Sequence, residues 1–160
     1  MRWYHPSTVL PKNPWLHPDA IAYLQSILEP NYRVLEFGGG GSTIWLSKRV
    51  KHVTTCEPDE EWFSILLTSA PDNVNVIFTG EPYIDDFDLV FIDGEPVEER
   101  AEWIRYAPHI SHTWIVLDNA NRPEYAKERE ALKEYAELVN TVDGNETGTL
   151  YLVTEFWRVK

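Results

Sequence analysis

Short apolar runs closed by glycine or proline alternate along this chain with segments whose apolar residues recur every three or four positions. The first periodic segment carries Ile21, Leu24, Ile27 and Leu28, with Asp19 as its predicted cap and Pro30 as its stop. Residues 33–37 read as a short buried strand ended by the run Gly38 to Gly41, and Ser42 then opens a helix with Ile44, Trp45 and Leu46 that runs to Arg49. Residues 53–56 give a second strand. Asp59 is the expected cap of the next helix, with Glu60 and Glu61 favourably set against its dipole and Trp62, Phe63, Leu66, Leu67 and Ala70 on its inner face. Strands are expected over 74–78 and 88–92, and the connection between them is too short for a full helix.

Further on, the pattern predicts a helix over 97–107, a strand over 113–117 and a charge-rich helix over 124–138. Tyr125, Leu132, Tyr135 and Val139 form its apolar stripe. Residues 139–142 and 150–159, joined by a turn around Asp143, Gly144 and Asn145, predict a closing antiparallel hairpin. Residues 1–17, with Pro6, Pro11 and Pro14, read as an irregular arm without the pattern of a signal peptide. In that arm Trp3, Tyr4 and Trp15 either lid a pocket or anchor the arm.

Alternating apolar strands and helices predict an α/β, Rossmann-like fold with a mostly parallel sheet, helices on both faces and an antiparallel C-terminal hairpin. A length of 160 residues leads us to expect one compact domain over 1–160. Ligands in such sheets sit beyond the carboxyl ends of the strands, which here means after Phe37, Cys56, Phe78, Ile92 and Leu117.

Composition narrows the function classes. With 43% hydrophobic and 25% charged residues the chain is expected to be globular and not disordered. One cysteine, Cys56, excludes an intrachain disulfide and a cysteine-rich zinc site, and a reducing cytoplasmic setting follows as the expectation. A formal net charge of −12, from 14 basic and 26 acidic residues, disfavours nucleic acid as a partner. No apolar run approaches a membrane span. His5, His17, His52, His109 and His112 show no metal-ligand spacing, and Ser42 does not sit on a nucleophile elbow.

The unusual residues lie at the strand ends. Four consecutive glycines after Phe37 allow close approach of a ligand to the backbone, or form a tight strand-to-helix turn that binds nothing. The run lacks the lysine of a P-loop, and Thr43 stands where a dinucleotide fingerprint starting at Gly38 needs glycine, which argues against a dinucleotide-dependent oxidoreductase. Glu36, just before the run, suits a ligand with a cationic ammonium and sulfonium. Glu57 falls about twenty residues further on, where an acid can accept both ribose hydroxyls. Alternatively it belongs to a solvated helix-capping cluster.

The segment Val34-Leu35-Glu36-Phe37-Gly38-Gly39-Gly40-Gly41-Ser42-Thr43 resembles the first motif of class I S-adenosylmethionine-dependent methyltransferases, and Glu57 falls where their ribose-binding acid does. Phe91-Ile92-Asp93-Gly94 and Val116-Leu117-Asp118-Asn119 resemble their fourth and fifth strand ends. The resemblance implies that Gly38 and Gly40 contact the methionine part of the cofactor and Glu57 its ribose, and Glu36 and Ser42 are expected in the same cofactor site. It places Glu81 near the adenine. It implies methyl transfer; the acidic strand ends and the net charge of −12 then favour a small-molecule oxygen or nitrogen acceptor, which Asp93 is expected to orient or deprotonate, alone or through a metal. A non-catalytic nucleotide-binding or scaffold domain of the same fold is the alternative.

Asp93, Asp118 and Asn119 offer only oxygen ligands, the set preferred by Mg²⁺ or Ca²⁺, and are similar in separation to the metal triad of catechol-type O-methyltransferases. Pro96 stands where those enzymes carry a catalytic lysine. Without a metal, Asp93-Gly94 is a turn and Asp118 holds nearby backbone.

Overall fold

The computed structural model describes residues 10–144 and 152–160. Strand β1 (Arg33–Phe37) lies inside the sheet because both of its faces are apolar: Val34 turns to one side, Leu35 and Phe37 to the other. It pairs in parallel with β2 (His52–Cys56) and with β4 (Phe87–Ile92). Outside these lie β3 (Val74–Ile77), parallel to β2, and β5 (Ser111–Leu117), parallel to β4. Two antiparallel strands, β6 (Ala136–Asp143) and β7 (Val153–Val159), complete the order β3-β2-β1-β4-β5-β7-β6. The chain runs outward from β1 to β3, then returns to β4 on the other side of β1. That reversal puts the switch point between β1 and β4.

Helices cover both faces, as two apolar clusters require. On one face, α1 (Pro18–Ile27) and α2 (Gly41–Ser47) bury Ala20, Leu24, Trp45 and Leu46 against Val34, Phe91 and Val116. On the other, α4 (Val97–Ile110) and α5 (Ala126–Leu132) bury Trp103, Ile104 and Leu132 against Phe37, Ile92 and Leu117. Trp103 stacks on Phe37 at 4.7 Å and 8° between planes, an aromatic pair worth about 1 kcal/mol beyond its burial. Helix α3 (Glu60–Ser69) starts at Asp59, whose side chain accepts the Trp62 N–H at 3.0 Å. As expected, no helix intervenes between β3 and β4. Cys56 is wholly buried, and burial pushes its thiol up to about 12. Among the described residues no helix is long and apolar enough to cross a membrane.

Several expectations are corrected. Helix α1 starts two residues earlier than expected, with Pro18 at its first position and His17 as cap; His17 Nδ1 accepts the Asp19 N–H at 3.2 Å, so Asp19 is capped and does not cap. The helix expected to reach 138 ends at Leu132, after a 3-10 turn over Pro123–Tyr125. Strand pairing overrides helical propensity there: Ala136, Glu137 and Leu138 pair with Val159, Arg158 and Trp157. The Lys160 ammonium takes the helix-end carbonyls of Lys133 and Glu134 at 2.8 and 3.3 Å. Tyr125 and Leu132 of the predicted stripe are buried, whereas Tyr135 and Val139, beyond the helix end, are exposed. Leu67 is exposed as well, and Phe78 lies past the end of β3, 55% exposed. Helix α4 runs through Pro108 to Ile110. Trp15 is exposed; Trp3, Tyr4 and the tip of the closing hairpin lie outside the described residues.

Candidate functional site

The sheet's carboxyl ends are laced together in steps. Gly38 N–H donates to Cys56 O at 2.9 Å, Asp93 N–H to Phe37 O at 3.0 Å and Asp118 N–H to Ile92 O at 3.0 Å. This brings the loops after β1, β2, β4 and β5 into one region, where the sequence placed its candidates.

Gly38 turns the chain out of β1 with φ of 86°, a left-handed conformation, and its Cα faces the Gly94 backbone so closely that a methyl group would overlap it. Gly38→Ala therefore combines left-handed strain with a clash against rigid backbone and is expected to cost roughly 2–4 kcal/mol. Urea denaturation checks this, and a loss below about 1 kcal/mol contradicts the packing described. The remaining loop glycines also meet the protein's own atoms. Gly40 lies under the Trp62 indole, and residues Pro11 and Asn13 of the arm close over Gly41.

Glu36 does not open onto the cleft. Its carboxylate points beneath α2, wholly buried, and accepts hydroxyl hydrogen bonds from Ser42, from Thr43 at 2.6 Å and from Thr55 at 2.7 Å. Thr55 stands beside it in the β1–β2 register. Burial raises its pKa despite these three donors. Ser42 is thus engaged with Glu36, and Thr43 Oγ1 also accepts the Gly40 N–H at 2.9 Å.

Glu57 lies at the end of β2 against the loop, 6% exposed. One oxygen accepts Gly39 N–H at 3.1 Å and the other Asp59 N–H at 2.9 Å, leaving further lone pairs on each. Trp62 donates its indole N–H to Gly39 O, so Glu57 and Trp62 clasp the Gly39 backbone from both sides. Burial raises the Glu57 pKa from 4.5 to about 7, with Asp59 and Glu36 adding to the rise. Glu81 lies exposed in the loop after β3, its N–H donating to Thr79 Oγ1 at 3.0 Å.

At the ends of β4 and β5, Asp93 and Asp118 sit side by side, sharing a hydrogen bond. Burial and the neighbouring Asp118 push Asp93 well above the usual carboxylate range. Behind them lies a residue the sequence reading missed. Arg100 of α4 is 1% exposed and donates to Gly94 O at 2.7 Å, Asp118 O at 2.9 Å, Asn119 Oδ1 at 3.0 Å and Asp93 O at 3.0 Å. Its guanidinium also pairs with Asp93 Oδ1 at 3.8 Å and Glu95 Oε1 at 3.5 Å. The signal was available: Arg100 interrupts the apolar stripe of Val97, Trp103, Ile104 and Ala107.

This arrangement lends the metal expectation no support. Asn119, in a left-handed conformation, gives its side-chain oxygen to Arg100, while Asp118 Oδ1 accepts from Thr154 Oγ1 at 2.8 Å. The local positive charge is the guanidinium, which repels a second cation. Among the described residues, no group of three or more His, Cys, Asp or Glu side chains is placed to hold a metal ion. Mg²⁺ and Ca²⁺ are not supported.

No protein-family model matches the chain, and no curated protein does. Solved structures do match. Magnesium protoporphyrin IX methyltransferase from Synechocystis, with bound S-adenosylmethionine, gives a TM-score of 0.65 at 12% identity, over 89% of this chain and 77% of that one. Ribosomal protein L11 methylase from Lactobacillus delbrueckii subsp. bulgaricus gives 0.67 at 12%, over 87% and 76%. A tRNA methyltransferase from Aquifex aeolicus gives 0.64 at 16%, over 98% and 77%. By their names these proteins act on a porphyrin, a protein and a tRNA, so the likeness carries fold and not acceptor. The chain has the class I S-adenosylmethionine methyltransferase fold.

Proposed function

We propose that this protein binds S-adenosylmethionine over the ends of β1 and β2 and transfers its methyl group to an oxygen or nitrogen of a small-molecule acceptor. The observation that carries the reading is Glu57: a carboxylate with a raised pKa and spare lone pairs, fixed beside a glycine loop on this fold. Its chemistry fits a ribose, because two vicinal hydroxyls would donate to it and stabilise its charged form. Gly38 and Gly40 would meet the methionine part through Cα and carbonyl, since their N–H groups are already bonded to Cys56 O and Thr43 Oγ1. Glu36 and Ser42 act beneath the loop, holding α2 to β1 and β2. Glu81 lies on the nucleobase side.

When bound, the sulfonium supplies a good leaving group, so the chain has mainly to align the acceptor and exclude water. Asp93 orients the acceptor or, once its own proton has passed to solvent, takes the acceptor's; Arg100 and Asp118 position Asp93. The net charge of −12 favours a neutral or cationic small molecule over nucleic acid. A cytoplasmic setting accompanies this reading. The packing of Trp62, Pro11 and Asn13 on the loop favours a second reading, a non-catalytic nucleotide-binding or scaffold domain, which would bind ligand without turnover.

Calorimetry with S-adenosylmethionine and S-adenosylhomocysteine tests the reading. Saturable heat from both is expected, and no heat with no thermal shift at millimolar ligand overturns it.

The Glu57 carboxyl adds a pH signature. Its folded pKa lies above the unfolded value, so the folded state binds the extra proton and stability falls as pH rises from 4.5 through about 7. The fall amounts to roughly 3 kcal/mol, and Glu57→Gln should remove it. Ribose hydroxyls favour the ionised form, so binding of S-adenosylhomocysteine just below neutral pH should release up to about one proton. Calorimetry in buffers of different ionisation heat reads that number. Proton uptake instead of release contradicts the ribose role.

A further inference from the structure

The acceptor side of the cleft holds two charged side chains, Glu95 and Arg122, that the proposed chemistry leaves unused. Glu95 follows the end of β4 and Arg122 the end of β5, where the Arg122 N–H bonds back to Asn119 O at 3.1 Å. One oxygen of Glu95, Oε1, lies 3.5 Å from Arg100 Nη2 and 3.6 Å from Arg122 Nη2. Both lengths exceed that of a charge-assisted hydrogen bond, so a carboxylate of the chain itself sits between two guanidiniums without closing on either. Access is open: the side chains of Asp93, Arg122 and Glu95 are 23%, 24% and 53% exposed. An ion pair this long and this exposed is weakly held, and Glu95 can turn outward at little cost.

Charge decides what can take its place. Asp93 and Asp118 share a hydrogen bond, which leaves one proton on the pair. With Glu95 negative and Arg100 and Arg122 positive, the cluster is then neutral. A carboxylate that displaces Glu95 leaves this balance untouched, and the planar fork of Arg122 matches it. An ammonium beside Asp93 likewise replaces the proton of the carboxyl pair, which passes to solvent. Arg100 Nη2 also lies 3.8 Å from Asp93 Oδ1, so Asp93, Arg100, Glu95 and Arg122 follow one another within the span of a small molecule. A molecule that carries both groups is an amino acid, zwitterionic and without net charge.

We propose that the acceptor is a small amino acid, whose carboxylate takes the place of Glu95 on Arg122 and whose amino group lies at Asp93. This rests on the donor reading above and names the acceptor class, with Arg122 as the residue that selects it. In the transfer, the ammonium first gives one proton to Asp93 or to solvent. The nitrogen lone pair then forms a bond to the methyl carbon as the methyl–sulfur bond breaks, so S-adenosylhomocysteine leaves and the product is a methylammonium.

Transfer of tritiated methyl by the full chain to a mixture of the common L-amino acids, compared with a mixture of their carboxamides, tests the assignment. Label should enter the acids about 10- to 100-fold more than the amides, the span of one hydrogen bond to a charged group. For the labelled acid, Arg122→Gln should raise KM by about 10-fold or more with kcat changed less. Glu95→Gln, which removes the competing carboxylate, should lower KM. Both variants should bind S-adenosylhomocysteine as the unaltered protein does. Equal label in the two mixtures, or label in neither, overturns the assignment while binding of S-adenosylhomocysteine keeps the donor reading intact. A KM that does not rise in Arg122→Gln, or that rises in Glu95→Gln, overturns it too. Absence of S-adenosylhomocysteine binding to the unaltered protein overturns the donor reading, and this assignment with it.

Discussion

Replacing Arg100 by methionine is expected to cost about 3–5 kcal/mol of stability, the usual loss when one partner of a buried ionic cluster is removed. Methionine fills much of the same volume, so the loss comes from what is left behind. The carbonyls of Asp93, Gly94 and Asp118 and the Asn119 side chain lose the guanidinium's hydrogen bonds, and the Asp93–Asp118 pair loses its counter-charge. For a chain of this size the midpoint of thermal unfolding should fall by roughly 10 °C or more. Arg100→Lys should recover only part of this, because one ammonium cannot span carbonyls on two strands. A methionine variant within about 1 kcal/mol of the unaltered protein would mean that the guanidinium is not what ties β4 to β5.

Asp93→Asn should leave the fold and the affinity for S-adenosylhomocysteine within a few-fold of their starting values while lowering methyl transfer by about 10²–10⁴. The amide is isosteric and neutral, and it can still donate to Asp118 where the two carboxyl groups now share a hydrogen bond. It cannot take a proton from an acceptor. Transfer of tritiated methyl to hydroxylated and amino small molecules, compared with binding by calorimetry, separates the two effects. Unchanged transfer removes Asp93 from the chemistry, and lost binding places it in the donor site instead.

Much of the frame was legible in the sequence. β1 is found over residues 33–37 as read, because the glycine run admits one stopping point. Asp59 caps α3 as expected, since a short acid before two glutamates has one natural role. The helix-free path from β3 to β4 followed from its length. What failed depended on partners remote in sequence. The end of α5 is set by β7, which pulls Ala136 to Leu138 into an edge strand that local propensity favours as helix. The metal triad depends on remote partners in the same way. Strand order brings Asp93, Asp118 and Asn119 to adjacent ends, as the spacing suggested, but their oxygens are turned to Arg100 on α4 and Thr154 on β7. Glu36 was legible as unusual, yet its direction was not. The two-residue period of β1 puts it on the α2 face with Val34, where three hydroxyls await it.

The packing around the glycine loop makes the central claim a demanding one. Trp62 clasps Gly39 together with Glu57, and the arm closes over Gly41, so a donor must fit against side chains already in contact with the loop. A crystal structure of the protein grown with S-adenosylhomocysteine measures this directly. The account predicts the nucleoside over the ends of β1 and β2, with both ribose hydroxyls on the Glu57 carboxylate. Density for the ligand elsewhere, or a fully occupied ligand whose ribose does not touch Glu57, would contradict it.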